Sequence, residues 1–202
     1  MSVETKRAAQ AAVTRSHLVD VGRRLFAERG FAGTSTEEIV LQAGVTRGAL
    51  YYHFRNKQDL FRAVFAAVED EVHEQVTAVA MAEAEPWDGL VAACWAFLDA
   101  SLDPAVQRIA LVDAPSVLGW DEWREIGAQQ RFGLVAVGLQ WAMVAGQIDD
   151  QPVAPLVHVL LGALNEGALY IARAGDRTAA REDVGTSITR LLSGLRPRRE
   201  NG

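Results

Sequence analysis

Apolar residues recur every three or four positions along most of this chain, and strict alternation never lasts beyond a few residues. That periodicity predicts helices and no persistent strand. Between Arg15 and Arg29 the stripe is Leu18, Val21, Leu25 and Phe26, and Gly30 is placed to end it. Ser35 and Glu38 form a capping-box pair that opens a second helix carrying Ile39, Val40 and Ala43, which stops at Gly44. Thr46 caps a third helix, from Arg47 to about His53. Asn56 caps a long fourth one, from Lys57 to about Ala80, with Leu60, Val64, Val68, Val72 and Val79 facing inward. Pro86 breaks the pattern. Beyond it the spacing predicts a helix from Trp87 to about Leu102, a short one after Asp103-Pro104, and a loop over 114–119. Helices over Trp120 to Ala145, Pro152 to Ala174 and Arg177 to about Gly194 complete an all-α chain of about nine helices. Residues 1–13 read as a flexible arm and 196–202 as a disordered tail.

Composition narrows the class. Half of the 202 residues are hydrophobic, enough for a substantial core. No unbroken apolar run approaches the ~18 residues of a membrane span; the longest, Val153 to Leu164, is interrupted by His158. The start of the chain has no apolar signal segment, and the single cysteine, Cys94, excludes an intrachain disulfide and a cysteine-built metal cage. The expectation is a cytoplasmic protein without metal or cofactor, with Cys94 a small buried hydrophobe. Net charge is −6 but unevenly spread: residues 1–60 hold nine Lys/Arg and six Asp/Glu, while 61–202 hold eleven and twenty. The N-terminal end is therefore the one suited to a polyanion.

That positive end holds the two short helices and the glycine turn between them. The second of these presents Thr46, Arg47, Tyr51 and His53, with Lys57 just beyond. Thr46 with its backbone N–H suits a phosphate, and Arg47 suits guanine O6 and N7. Gly48 and Ala49 are small enough for close approach to base edges or a thymine methyl. Leu50 and Phe54 face inward. The plain alternative is a helical hairpin with a solvated polar face. Gly30-Phe31, Thr34-Ser35, Ile39, Ala43-Gly44-Val45-Thr46, Leu50-Tyr51-Tyr52-His53-Phe54 and Lys57-Gln58-Asp59-Leu60 resemble the DNA-binding domain of tetracycline-repressor (TetR) family regulators. The Arg47-Gly48-Ala49-Leu50-Tyr51 run is most similar to the branch that represses multidrug efflux genes. The resemblance covers roughly residues 12–62. It implies a three-helix helix-turn-helix DNA-binding domain over 14–56, a helical ligand-binding and dimerisation domain over 57–195, a homodimer and a palindromic double-stranded DNA operator. It also implies phosphate contacts from Thr46, Tyr51, His53 and Lys57, base contacts from Arg47 and Gly48, and an interface completed by Ser35, Ala49 and Tyr52. Arg15, Lys6 and Arg7 either touch the DNA backbone or minor groove or stay uninvolved.

The remainder is less specific. Trp87, Trp95, Trp120, Trp123 and Trp141 are core residues by default. Trp120 and Trp123 share a helix face beside the 114–119 segment, and Trp95, Leu111, Pro115, Phe132 and Trp141 are expected to converge there on a pocket for a small hydrophobic effector. Asn165 is its expected polar member, with His158 and Glu166 as further polar candidates. The Pro152 to Ala174 helix is apolar nearly all round, and Gly162, Ala163, Gly167 and Ala168 permit close helix approach. With Val184, Ile188, Leu191 and Leu192 of the last helix it is the expected dimer contact, the alternative being an interior helix of a monomer. Two other functions stay open. A regulator sensing a protein partner would show an exposed apolar patch and no cavity. An enzyme has little support, since there is no phosphate loop, nucleophile elbow or metal-spaced histidine pair.

Overall fold

Two left-handed glycines, Gly30 (φ +70°) and Gly44 (φ +62°), end the first two helices of the computed structural model, which describes residues 3–197. Both positions favour glycine because a side chain is strained at positive φ. Helix α1 is Val3–Arg29, α2 Thr36–Ala43, α3 Arg47–His53, α4 Lys57–Ala82 and α5 Pro86–Ala100. A short α6 (Pro104–Val106) runs into a π-helical segment, Gln107–Asp113, and then α7, Ala114–Leu118. Helices α8 (Trp120–Val144), α9 (Val153–Arg173) and α10 (Arg177–Ser193) follow, with no strand among the described residues.

Three expectations are corrected. Residues 3–13 continue α1 instead of forming an arm, because nothing in that alanine-rich stretch breaks a helix. The segment 114–119 is helical to Leu118, with Pro115 tolerated in a first turn that needs no N–H from it, and the break falls at Gly119 (φ +87°). Val79 is exposed, near the end of α4 where positions 78, 82 and 83 are exposed too. Met1, Ser2, residues 198–202 of the expected tail, and the Lys6 side chain lie outside the described residues.

The chain divides into two compact units. The first takes in the chain up to Val68 together with Pro104–Trp123; the second takes in Glu69–Asp103 and the chain from Arg124 onward. A division at 56/57 does not anticipate the return of 104–123 to the N-terminal helices. In the first unit, Leu18, Phe26, Ile39, Leu50, Leu60, Phe61, Phe65 and Ile109 are fully buried. The Phe61 ring meets Phe26 edge-on at 5.1 Å and Phe31 at 5.2 Å. Residues 104–123 are held to this core by specific bonds. The Phe31 N–H donates to Asp113 Oδ2 at 2.7 Å, and Arg108 pairs with the same carboxylate at 3.4 Å. Gln58 donates to the Val117 carbonyl at 2.8 Å, and Trp123 Nε1 to that of Ala110 at 2.8 Å. Arg62 grips Glu122 with two guanidinium nitrogens, Nε to Oε1 and Nη2 to Oε2.

In the second unit α5 packs on α9 and α10. Gly185 accommodates the Trp95 indole: a Cβ there would lie 2.2 Å from the ring. Trp95 Nε1 donates to Thr189 Oγ1 at 3.2 Å, and the Arg181 guanidinium covers the ring at 4.3 Å. Gly185→Ala must therefore displace a ring fixed on both sides. We expect it to lower unfolding stability by about 1–3 kcal/mol, the range for overpacking a filled core, read from urea denaturation. Val153–Arg173 is long and apolar enough to cross a membrane by length and composition, which the interrupted apolar run did not anticipate. Its Val157, Leu160, Leu161, Leu164, Gly167, Ala168 and Ile171 are buried, so the helix is covered on one face and open on another instead of being enclosed all round.

Candidate nucleic-acid interface and internal cavity

Local chemistry builds the α2–α3 pair. Ser35 Oγ accepts the Glu38 N–H at 3.1 Å, and Thr46 Oγ1 accepts the Ala49 N–H at 3.2 Å. The returning arm of the capping box is absent: the Glu38 carboxylate pairs with Arg29 instead. The Gly44 and Val45 N–H groups bond the Leu41 and Val40 carbonyls at 3.2 Å each, closing α2. His17 Nε2 lies 3.2 Å from the Ala43 carbonyl and ties the end of α2 to α1, a contact between residues far apart that spacing does not reveal. Leu50 and Phe54 are buried as expected, and the Arg15 guanidinium sits 5.2 Å above the Phe54 ring.

The opposite side of α3 is open. Ser35, Thr46, Arg47, Gly48, Tyr51 and Tyr52 are exposed, while Ala49 and His53 are half-buried. Tyr52, 79 % exposed, is braced edge-on by His53 at 4.9 Å. A Cβ on Gly48 would meet only the Thr46 hydroxyl, at 3.9 Å, and Gly48 has no positive φ. Glycine inside a helix costs about 1 kcal/mol relative to alanine, yet nothing within the molecule requires it here.

Arg47 is weakly held. Its side chain is 67 % exposed, 3.4 Å from the equally exposed Glu37 carboxylate and 5.6 Å from the Tyr51 ring centre. Glu37 itself sits below the ordinary carboxylate range chiefly through its own backbone N–H, then the Thr36 hydroxyl, with Arg47 contributing least. So exposed a pair holds its members only weakly, so Arg47 is free to turn outward. Sequence reasoning passed over Glu37, which stands in the first turn of α2 beside Arg47.

Lys57 is placed differently from a free point charge. Its Nζ donates to the Phe31 and Thr34 carbonyls at 2.8 Å each and lies 4.1 Å from the Phe31 ring centre. Only one of its three protons is left for a phosphate.

Glu122 lies below the ordinary range chiefly because Arg62 donates to it, with burial acting against and the Arg62 charge adding to the shift. A carboxylate with a lowered folded pKa stabilises above the unfolded value of 4.5 and loses that contribution as pH falls through the folded value. Glu122→Gln is expected to flatten the acid limb of stability, measured as the difference between urea midpoints at pH 7 and about pH 3.

In the second unit, α4, α5, α8 and α9 line a partly open cavity of about 160 Å³, walled mainly by Val72, Val76, Leu90, Phe97, Leu134 and Leu164. Of the expected pocket residues only Trp141 lines it. Leu111, Pro115, Trp120 and Trp123 belong to the first unit, where Trp123 is buried and Trp120 exposed. Trp95 is engaged by α10, Phe132 stacks on the exposed His158 at 5.4 Å, and Asn165 and Glu166 do not line the cavity. The expected convergence fails because Trp120 and Trp123 sit at the opposite end of α8 from Trp141. Cys94 lines the wall, and burial pushes its thiol up to about 12, so it stays protonated.

Comparison with known proteins matches both parts of the chain. Residues 18–64 match the family model for bacterial regulatory proteins of the tetR family, and residues 87–195 match the tetracyclin repressor-like C-terminal domain. The chain is 46% identical over 74 residues to the transcriptional regulator AcrR of Shigella flexneri, covering 37% of this chain but only 34% of AcrR. It is 30% identical over 160 residues to the transposon Tn10 TetC protein of Escherichia coli, covering 79% of this chain and 78% of that one. The crystal structure of a TetR-family transcriptional regulator from Pectobacterium atrosepticum superposes with a TM-score of 0.84 at 31% identity, covering 95% of this chain and 98% of that chain.

Proposed function

The chain belongs to the TetR family of regulators, and from that premise we propose that it is a cytoplasmic, ligand-responsive repressor that binds a palindromic operator as a homodimer and leaves it when a small hydrophobic effector enters the cavity. The observation that carries the DNA-binding part is the open face of α3, with an exposed, weakly held Arg47 beside a glycine no internal contact requires. Residues 14–56 are the DNA-binding domain, and 57–195 supply effector binding and dimerisation. Arg47 reads a base edge; Gly48 and Ala49 allow the helix to seat; Thr46, Tyr51, Tyr52, His53 and Ser35 reach phosphates. The dimer contact is the open face of α9 with α10, where Val159, Tyr170 and Leu191 are exposed and a Cβ added to Gly162 would meet nothing within 4 Å. Two copies then set two α3 helices ~34–36 Å apart, one turn of the duplex.

Two helices support the coupling. Along α4 lie Arg62, which grips Glu122, and Val72 and Val76, which wall the cavity; along α8 lie Glu122 itself and Arg131, Leu134 and Trp141 of the same wall. A molecule that changes the spacing of these helices at the cavity acts on the Arg62–Glu122 grip through the same two rods. It shifts the operator equilibrium only by its difference in affinity for the two states. The presence of a cavity favours a small molecule over a protein partner.

Fluorescence anisotropy with DNA from upstream of the protein's own gene, alongside analytical ultracentrifugation, tests this reading. We expect a dimer, a two-fold symmetric footprint and release by a hydrophobic compound. A monomer with no preference among duplexes would overturn it.

A further inference from the structure

Among the described residues, three buried polar atoms on α4 have no hydrogen-bond partner: Glu69 Oε2, His73 Nδ1 and Thr77 Oγ1. Spaced four residues apart, they form a row along one helix face. An unpartnered buried polar atom is costly and calls for an explanation in a native protein. His73 lines the cavity, and so does Arg131. The Arg131 guanidinium lies 3.3 Å from Glu69 Oε2, donates through Nε to the Gly127 carbonyl at 2.9 Å, and covers the Phe97 ring at 5.0 Å. Burial pushes the Glu69 carboxyl up in spite of Arg131 beside it, so the site already disfavours the one anion it holds, while His73 is left with an unused ring nitrogen.

We propose that the cavity selects a neutral, single-ring molecule carrying one hydroxyl, with that hydroxyl bonded to His73 Nδ1. The inference rests on reading the cavity as the effector site. Size sets the ring: the volume of about 160 Å³ is close to that of an apolar cavity of ~150 Å³ known to hold benzene. The row of polar atoms sets the hydroxyl, which donates to or accepts from Nδ1 in either tautomer of the imidazole. Charge balance sets neutrality. A carboxylate would add a second anion near Glu69 with only Arg131 to meet it, and Glu83 and Glu85 also line the cavity. An ammonium would meet Arg131. Either leaves a buried charge without a partner. Cys94, the nucleophilic atom type in the wall, is kept as a thiol by burial, so the molecule binds reversibly and is not captured covalently.

Isothermal titration of the full chain with phenol, toluene, benzoate and benzylammonium tests this, in the wild type and in His73→Leu and His73→Asn. The wild type should bind phenol at least tenfold more tightly than each of the other three. His73→Leu should bind phenol and toluene alike, and His73→Asn should keep a preference for phenol. Toluene or benzoate binding the wild type as tightly as phenol would overturn the hydroxyl assignment while leaving the cavity reading intact. The same holds for a phenol preference that survives His73→Leu in a variant with wild-type circular dichroism. If none of the four probes binds, the cavity reading fails and this inference with it. Should His73→Leu not fold, the wild-type ranking decides alone.

Discussion

Phe61→Ala is expected to destabilise the N-terminal unit by about 3–5 kcal/mol, the range for removing a large aromatic from a packed core. Phe61 has no exposed surface and holds the Phe26 and Phe31 rings edge-on at 5.1 and 5.2 Å. Such aromatic pairs add about 0.5–1.5 kcal/mol each beyond area. The vacancy opens where four features meet: α1, the Gly30 turn, the start of α4, and Phe31, whose N–H fastens to Asp113 and whose carbonyl receives Lys57. A domain with a stability of about 5–15 kcal/mol loses much of its margin. The measurement is chemical denaturation followed by circular dichroism, with operator affinity recorded in parallel. A loss below about 1 kcal/mol would mean that neighbours collapse into the space. Phe61→Leu, which keeps most of the volume, should retain both stability and DNA binding.

Arg47→Ala is expected to leave the fold intact and to relax base preference by about 1–3 kcal/mol at one position of each half-site, roughly fivefold to more than a hundredfold. The fold is indifferent because, among the described residues, the partners of Arg47 are an exposed carboxylate at 3.4 Å and an exposed ring face. Binding is sensitive because the proposed dimer repeats the loss at both half-sites. Anisotropy titrations on operator variants, at two salt concentrations, separate a base contact from a phosphate contact. A base contact changes the ranking of sequences, whereas a phosphate contact weakens all of them and reduces the salt slope by about one. If wild type and variant rank the sequences identically, Arg47 reads no base. Lys57→Ala provides the contrast. Because Lys57 bonds the Phe31 and Thr34 carbonyls, its removal is expected to weaken binding at every sequence chiefly by loosening the α1–α2 turn, with a measurable fall in stability.

Much of the interface was legible because each piece of it is local. The cap at Ser35, the left-handed stop at Gly44, the cap at Thr46 and the inward pair Leu50 and Phe54 lie within 20 residues of one another. Each is decided by backbone N–H groups, one glycine φ and a helical period. The capping box was only half legible: the Ser35 half depends on its own helix, whereas the Glu38 half depends on an arginine nine positions away that competes for the carboxylate. Lys57 shows the same limit. Its charge is visible in the sequence, but the two carbonyls that hold it are 26 and 23 residues distant. Tryptophan identity was a poor guide to the cavity. Trp95 serves a helix contact through Gly185, Trp123 is bonded to the Ala110 carbonyl, and only Trp141 reaches the wall.

The sequence by itself determined the helical class, nearly all of the helix ends, the two short helices with their turn, and the family resemblance they carry, since period, caps and glycine conformation act over a few residues. Tertiary structure alone decided where 104–123 belongs, for the Phe31–Asp113 bond joins residues 82 apart. It also decided which side chains line the cavity, and that Glu69, His73 and Thr77 carry buried polar atoms without a hydrogen-bond partner among the described residues. Those outcomes depend on which helix faces meet. A helical stripe states that a face is buried but not against what, so the partner of each face emerges only when the whole chain packs.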